Sequence, residues 1–346
     1  QRTLSHVNHE KALQAILSLL DEQDLLNHLE ATAHRVVHGG SLLTEPVLAE
    51  PAVLKQIKRC IPLAPLHNGA NLQGLQIATQ LLPKTPHIAL FDTAFHKSIP
   101  QVAHQYAIPW ELSEKLSIKK YGFHGLSYDY LLDQTAKALD KQRWQCNLVI
   151  CHLGNGASVC GIKEGVSVEV SMGMTPLAGI MMGTRSGDID PGVIPYVMQE
   201  TGKSTEEVIT LLTKESGLLG VSGMSHDMRD IITGIENNDQ KAKLALDMMA
   251  YQIAKTISGY QVAIGNMDAL VFSGGIGENT PELREKIIEH LHFLGLKMDY
   301  ICNQNNATNI NTPKSKPIFV IKTDEETQMA LLSHDLLRRL SPCAPS

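Results

Sequence analysis

The sequence predicts an α/β protein with two domains, and three observations carry that prediction. Apolar runs of strand length recur along the chain, and stretches with helical spacing separate them. The middle of the chain is β-rich, with glycine turns between successive apolar runs. The length, 346 residues, is enough for two domains and a sizeable core. Taken in order, the chain opens on a helix that Asn8 can cap, with Ala12, Leu13, Ile16, Leu17 and Leu20 at helical spacing. A strand follows from His34 to His38, ended by Gly39-Gly40. A Pro- and Gly-punctuated loop, Pro62 to Asn71, leads into a helix through Ala78. Ile88 to Phe91 reads as a short buried strand with Asp92 at its C-terminal end. Residues 121–128 form a Gly-bearing loop, and Tyr128 to Leu139 reads as helical. Three strands come next, Asn147 to Leu153, Ala157 to Ile162 and Val166 to Val170, turned by Gly154-Asn155-Gly156 and Lys163-Glu164-Gly165. Helical segments dominate from Ser204 to Ile264. Ala269 to Phe272 is a further strand, and Pro281 opens a helix through Leu291. Asn303 to Lys316 is a polar loop, Ile318 to Ile321 a strand, and residues 323–326 cap a last helix through Leu337.

Composition narrows the function. Hydrophobic residues make up 43% and charged residues 19%, the balance of an ordinary soluble globular protein. A net charge of −6 argues against nucleic acid or an anionic membrane as the main partner. No apolar run is long enough to span a bilayer, and the first residues are polar rather than a signal-peptide core. The six cysteines show no CxxC pair, so they read as reduced thiols in a cytoplasmic enzyme. The 15 histidines contain no HExxH.

Several segments carry candidate chemistry. Residues 181–192, Met-Met-Gly-Thr-Arg-Ser-Gly-Asp-Ile-Asp-Pro-Gly, set Arg185 between glycines and near Asp188 and Asp190. Glycines allow close approach to a ligand, and a guanidinium fork suits phosphate or carboxylate. A surface turn with a solvated ion pair is the alternative. His152 to Ser158 and Ser273 to Asn279 look like phosphate cradles, because backbone N–H groups in such turns point at anions. Neither matches GxGxxG, whose third glycine would fall on Val159 or Thr280. Each alone reads more readily as an ordinary turn, and the two together favour a nucleotide. Gly202-Lys203-Ser204 is no Walker loop, since Val197 stands at the first glycine. Arg35, inside an apolar strand, needs a partner, faces a cleft, or is exposed. Asp92 can cap a turn or hold a metal, and His124 is a loop histidine or a site residue. His34 and His38 have the spacing of one strand face, but zinc needs more ligands. Glu325 and Glu326 also suit a plain helix N-terminus.

Together these runs resemble the acetate kinase family. The matching stretches are 35–40, 62–68, 91–96, 121–125, 152–158, 171–192, 273–279 and 323–326, in the family's order across almost the whole chain. The resemblance implies the acetate and sugar kinase, actin and chaperone-ATPase superfamily, with two ribonuclease H-like domains around a central cleft. It implies domain I at 1–96 plus 328–346 and a nucleotide-binding domain II at 97–327. It implies reversible transfer of the ATP γ-phosphoryl to acetate, giving acetyl phosphate and ADP, with Mg²⁺ or Mn²⁺ as cofactor. A homodimer is implied by the same analogy.

Carried over residue by residue, Arg35 and Arg185 bind the acetate carboxylate and the transferring phosphoryl. His124 donates to that phosphoryl, and Asp92 is the essential carboxylate. Val37, Leu66 and Phe123 line the methyl pocket. The nucleotide falls to His152, Leu153, Gly154, Asn155 and Gly156, to Asp227, Met228 and Arg229, and to Gly275, Ile276, Gly277, Glu278 and Asn279. Glu325, or Glu326 beside it, is the metal ligand. The family's opening strand and Asn-Ala-Gly-Ser-Ser-Ser-Leu-Lys loop have no counterpart in the sequence, so the first domain is expected to be truncated at its N-terminus. Smaller departures are Gly69 for proline, Leu126 and Tyr128 for Thr and His, and Glu169-Val170 for Asp-Thr. Phosphoryl transfer needs positioning and charge neutralisation, which two arginines, a histidine and a divalent cation provide. A carboxylic acid with a pKa of about 4–5 is already ionised at neutral pH, so Asp92 is not required as a base. Two alternatives stand beside this expectation: a propionate kinase, and a nucleotide-binding relative with impaired catalysis.

Overall fold

The computed structural model describes residues 9–65 and 67–341. The expected cap at Asn8 and the pocket residue Leu66 lie outside them. The chain divides into two compact units. One runs to Ala94 and takes up the chain again from Glu325, and the other is Phe95–Asp324.

The first unit is built on three strands, β1 (Thr32–Val36), β2 (Val47–Leu48) and β3 (His87–Phe91), in the order β1-β3-β2. β3 is parallel to β1, antiparallel to β2, and buried along its whole length. Val36, Ile57, Leu72, Leu75, Ala89 and Phe91 form its core, drawing in the helices Pro51–Arg59 and Asn68–Leu81. The register pairs Arg35 with Leu90 and Val36 with Phe91, so Arg35 and Asp92 leave the sheet at the same end. β1 stops two residues short of the expected His38. The Asn68 side chain accepts from the His38 N–H and donates to the His38 carbonyl, both at 2.9 Å, and takes up the bonds a neighbouring strand would supply. Gly40 then turns the chain at φ 63°.

The second unit holds β4 (Leu148–Leu153), β5 (Ala157–Lys163), β6 (Val166–Val170), β7 (Ala269–Ser273) and β8 (Ile318–Val320). Their order is β6-β5-β4-β7-β8. β4, β5 and β6 form an antiparallel meander, while β7 and β8 add in parallel, so β5 alone runs against the rest. That is the strand order of a ribonuclease H-like sheet. Leu131, Leu148, Ile150, Cys160, Ile162 and Val271 lie in its core. The helix expected from Tyr128 begins three residues earlier, spanning Gly125–Ala138 with His124 as its N-cap. The expected Gly loop after β7 is a short helix, Gly274–Asn279, that starts at once from the strand. Gly274 permits this at φ 76°, where a Cβ would lie 2.7 Å from the Leu153 carbonyl oxygen. Among the described residues no helix is long and apolar enough to cross a membrane.

Candidate active site

In the first unit, parallel pairing of β1 and β3 gathers three sequence-predicted residues. Arg35 donates from Nε and Nη2 to the two carboxylate oxygens of Asp92, each at 2.8 Å. Its Nη1 donates to Glu325, the first residue of the helix Glu325–Leu340. Asp92 is 1% exposed, and its backbone N–H donates to the Val36 carbonyl at 3.1 Å, continuing the ladder beyond β3. Burial alone would lower the Arg35 pKa. The charges and hydrogen bonds of Asp92, then of Glu325, outweigh it and hold the guanidinium charged. Burial pushes the Glu325 carboxyl up, Arg35 pulls it down, and nearby Asp92 and Glu326 push it up again, for a net rise. Val37 is half-buried one residue beyond β1, with its N–H bonded to the Asn71 side chain at 3.2 Å.

In the second unit, His124, His152 and Arg185 converge on the turn between β4 and β5. A Cβ placed on Gly156 would lie 3.4 Å from Arg185 Nη1 and 3.7 Å from His124 Nε2, so two donor groups face one glycine. His124 sits in the left-handed region at φ 60°. Its ring stacks on His152 with centroids 4.3 Å apart, and its Nδ1 is 2.8 Å from Ser158 Oγ. The loop carrying Arg185 is fastened to the same turn. The Gly183 N–H donates to the Asn155 carbonyl at 3.2 Å, and a Cβ on Gly183 would strike Asn155 Oδ1 at 2.2 Å. Arg185 donates to the Pro176 carbonyl at 3.1 Å and approaches Met182 sulfur at 3.7 Å. Neither nearby aspartate pairs with it. Asp188 accepts from the Gly179 N–H at 2.7 Å, and Asp190 accepts from the Gly192 N–H at 2.8 Å. Burial with no compensating carboxylate therefore lowers the Arg185 pKa. The alternative of a surface turn with a solvated ion pair is thereby corrected.

The remaining sequence-predicted residues are spread around this turn and elsewhere in the unit. Leu153 is fully buried under it, and the Gly154 N–H donates to the Gly156 carbonyl at 3.1 Å. Gly275 and Asn279 are exposed on the short helix, with the Asn279 amide donating to the Gly275 carbonyl at 2.9 Å. Ile276 is half-buried and Gly277 buried against Leu153. The Glu278 carboxylate faces its own backbone and accepts from the Gly274 N–H at 2.9 Å and the Thr323 N–H at 3.2 Å. Asp227 caps the helix Met228–Glu236 and pairs with exposed Arg229, whose hydrogen bonds lower the Asp227 pKa to about 2. Met228 and Phe123 are buried, at 4% and 2% exposed. His34 and His38 do not share a strand face. His34 meets His87 Nδ1 at 3.2 Å instead. Among the described residues no three His, Cys, Asp or Glu side chains cluster as metal ligands.

Comparison with known proteins fixes the family. The model of the Acetokinase family matches residues 1–331. This chain belongs to the acetokinase family. An acetate kinase of Thermoanaerobacter pseudethanolicus is 42% identical over 342 residues, covering 96% of this chain and 85% of that protein. A propionate kinase of Escherichia fergusonii is 46% identical over 339 residues, covering 97% and 83%. A solved propionate kinase of Francisella tularensis superposes with a TM-score of 0.92 at 41% identity, covering 96% and 85%. The chain is a kinase, and its two-domain fold is that of the actin-like superfamily.

Several residues that shape these sites carry no signal in the sequence. Asn68 holds the turn after β1, as described above. His96, 4% exposed, sits 2.9 Å from the Phe123 carbonyl and 2.8 Å from Ser167 Oγ, and burial lowers its pKa to about 4. Arg284, 0% exposed, donates to the Gly277 carbonyl at 2.7 Å and to Asn303 Oδ1 at 2.7 Å, fastening the short helix after β7. A charged residue in an amphipathic helix carries no signal of such burial. Its fourfold bonding exists only once Asn303 and Asn306 are folded beside it.

Proposed function

We propose that the acetate kinase reaction, reversible transfer of the ATP γ-phosphoryl to acetate, runs in this chain by direct in-line displacement through the residues gathered above. One observation carries the assignment. Arg185 is a half-buried arginine with no carboxylate partner among the described residues, beside His124 at a glycine turn. A buried cation without a counter-ion is stabilised when an anion arrives, and a phosphoryl group is the anion its family handles.

Arg185 and His124 accordingly bind the phosphoryl in flight, and Arg35 orients the acetate carboxylate. The family resemblance assigns Val37, Leu66 and Phe123 to the acetate methyl group. His152 to Gly156, Gly275 to Asn279 and the Asp227–Arg229 pair hold ATP or ADP in the unit Phe95–Asp324. The acetate carboxylate is already ionised at neutral pH and attacks without a base. Asp92 acts by holding Arg35 rather than by taking a proton.

The chemistry of the first unit fits Mg²⁺. Two carboxylates share one guanidinium, so the acids outnumber the cation there. Asp92 and Glu325 would hold the ion, which supplies charge neutralisation for the phosphates. Five free cysteines among the described residues, four of them buried, support a reducing, cytoplasmic setting, and the family likeness supports a homodimer.

A propionate kinase is the second reading, favoured by the 46% identity to the Escherichia fergusonii protein. One methylene is worth about 10- to 200-fold in kcat/KM, so the acyl preference is measurable. The test is acyl phosphate formation with Mg-ATP and acetate, propionate or butyrate, with Arg185→Ala as control. Activity falling from acetate to butyrate and vanishing in the control is expected. A maximum at propionate selects the second reading. A folded protein that binds ADP but turns over no carboxylate overturns both.

A further inference from the structure

Tyr128 is fully buried, and its ring is clamped on three sides. It stacks on Phe95 at 6.4 Å and meets His96 and His152 edge-on at 5.7 and 6.5 Å. This fixes the direction of its hydroxyl, which lies 2.5 Å from Ser158 Oγ. Ser158 is itself 0% exposed and lies 2.8 Å from His124 Nδ1. We propose that Tyr128 and Ser158 lock His124 in the tautomer with its proton on Nε2, and so act as positioning residues for phosphoryl transfer.

The direction of the protons follows from counting donors and acceptors. The Tyr128 hydroxyl is fully buried, and among the described residues its hydrogen-bond partner is Ser158, so the phenol proton goes to Ser158 Oγ as its acceptor. Burial holds the phenol pKa well above its ordinary value, so Tyr128 keeps that proton at every working pH. Ser158 has one proton of its own, and it goes to His124 Nδ1. A neutral imidazole that accepts at Nδ1 carries hydrogen on Nε2. That nitrogen is the one beside Gly156, where Arg185 Nη1 also points. Both groups therefore present N–H donors to the same place.

A second proton on His124 is opposed at both edges. On the Nδ1 side it would aim at Ser158 Oγ together with the Tyr128 hydroxyl, stranding the Ser158 proton in a buried site. On the other side stand the Arg185 cation and the stacked His152 ring. The backbone cannot relieve this by turning. His96 bonds the Phe123 carbonyl at 2.9 Å, immediately before the left-handed His124.

This inference rests on the reading of His124 as the phosphoryl donor, and the experiment separates the two. The full chain is labelled with ¹⁵N-histidine, and the His124 ring signals are assigned by their loss in His124→Gln. A protonated Nε2 and a bare Nδ1 are expected from about pH 6 to 8, around the ordinary imidazole value. Tyr128→Phe should give mixed tautomers and lower kcat about tenfold, the scale of one hydrogen bond, with KM for ATP and acetate little changed. The acid limb of its kcat–pH profile should move to higher pH, because one competing donor at Ser158 is gone. Ser158→Ala should do the same, and serves if the phenylalanine variant folds poorly. A proton on Nδ1 in the unsubstituted protein, or variants with unchanged tautomer and pH profile, overturns the lock. Full turnover by His124→Gln overturns the donor reading and leaves the tautomer result standing.

Discussion

The arginines Arg35 and Arg185, one in each unit, are opposites. Arg35 in the first unit is paired with two carboxylates, one of them bidentate, while the Arg185 guanidinium in the second unit donates to a carbonyl and approaches a thioether, with no carboxylate partner among the described residues. The same side chain therefore does two kinds of work. Arg35 is held in place by fixed charges before any ligand arrives. Arg185 is held by backbone contacts and keeps its charge uncompensated. A group of the second kind gains most from an incoming anion, because nothing has to be released first. A group of the first kind is an orienting device, and its removal exposes the carboxylates it held.

Replacing each arginine should therefore give different signatures. Arg185→Ala should cost the most activity, about 10³-fold or more in kcat, the scale of a transition-state arginine. Its Tm should hold or rise slightly, since an uncompensated half-buried charge is removed. Arg35→Ala should also lose activity and, in addition, destabilise the fold by about 1–3 kcal/mol, because Asp92 is left buried without its partner. Urea unfolding of both variants at neutral pH checks this. Equal stability losses would erase the contrast between them.

A milder probe sharpens the second region. A Cβ on Gly156 would make ordinary contacts with Arg185 and His124 and meet nothing closer than 3.4 Å. Gly156→Ala should thus fold with normal stability but fill space beside both donors. The expected result is an about tenfold rise in KM for ATP, read by initial rates, with ADP affinity falling in parallel. A variant with unchanged kinetics would mean that no phosphate approaches this turn.

How much of this was legible in the sequence depends on what each feature needs. The strand ends at Arg35 and Asp92 could be read from local apolar runs. Their meeting could not, since it follows from the parallel register of strands separated by more than fifty residues. The second unit's meander was readable because glycine turns separate its strands, whereas two-residue β2 leaves no periodicity to find. The helix Gly274–Asn279 reads as a loop in the sequence because glycines are poor helix formers. Tertiary packing against Leu153 overrides that preference. Asp227 and Arg229 were assigned to the nucleotide by resemblance, and the folded chain gives them a helix cap and an exposed ion pair. In the sequence Tyr128 is a helix start and a departure from the family pattern. Its place above Ser158 needed the helix start and β5 in three dimensions.

Glu325 gives the smallest expected effect and the sharpest test of the first region. Its folded-state pKa is raised, chiefly by burial, so the folded protein binds this proton more tightly than the unfolded chain. The contribution of the protonated form to stability is fully present below the ordinary carboxyl value. It is lost as pH rises through the raised folded value. At neutral pH the ionised side chain is thus a net cost to the fold despite its bond to Arg35. Glu325→Gln should remove that cost, raising Tm at pH 7 by about 1–3 °C and flattening stability between the two carboxyl values. Asp92 still grips Arg35 from two sides, so the arginine stays in place. Catalysis should nevertheless suffer, since the excess negative charge that would hold Mg²⁺ is reduced. A glutamine variant that gained stability and kept full turnover at low Mg²⁺ would separate Glu325 from the metal. One that lost stability at pH 7 would show that the Arg35 bond outweighs the burial of Glu325.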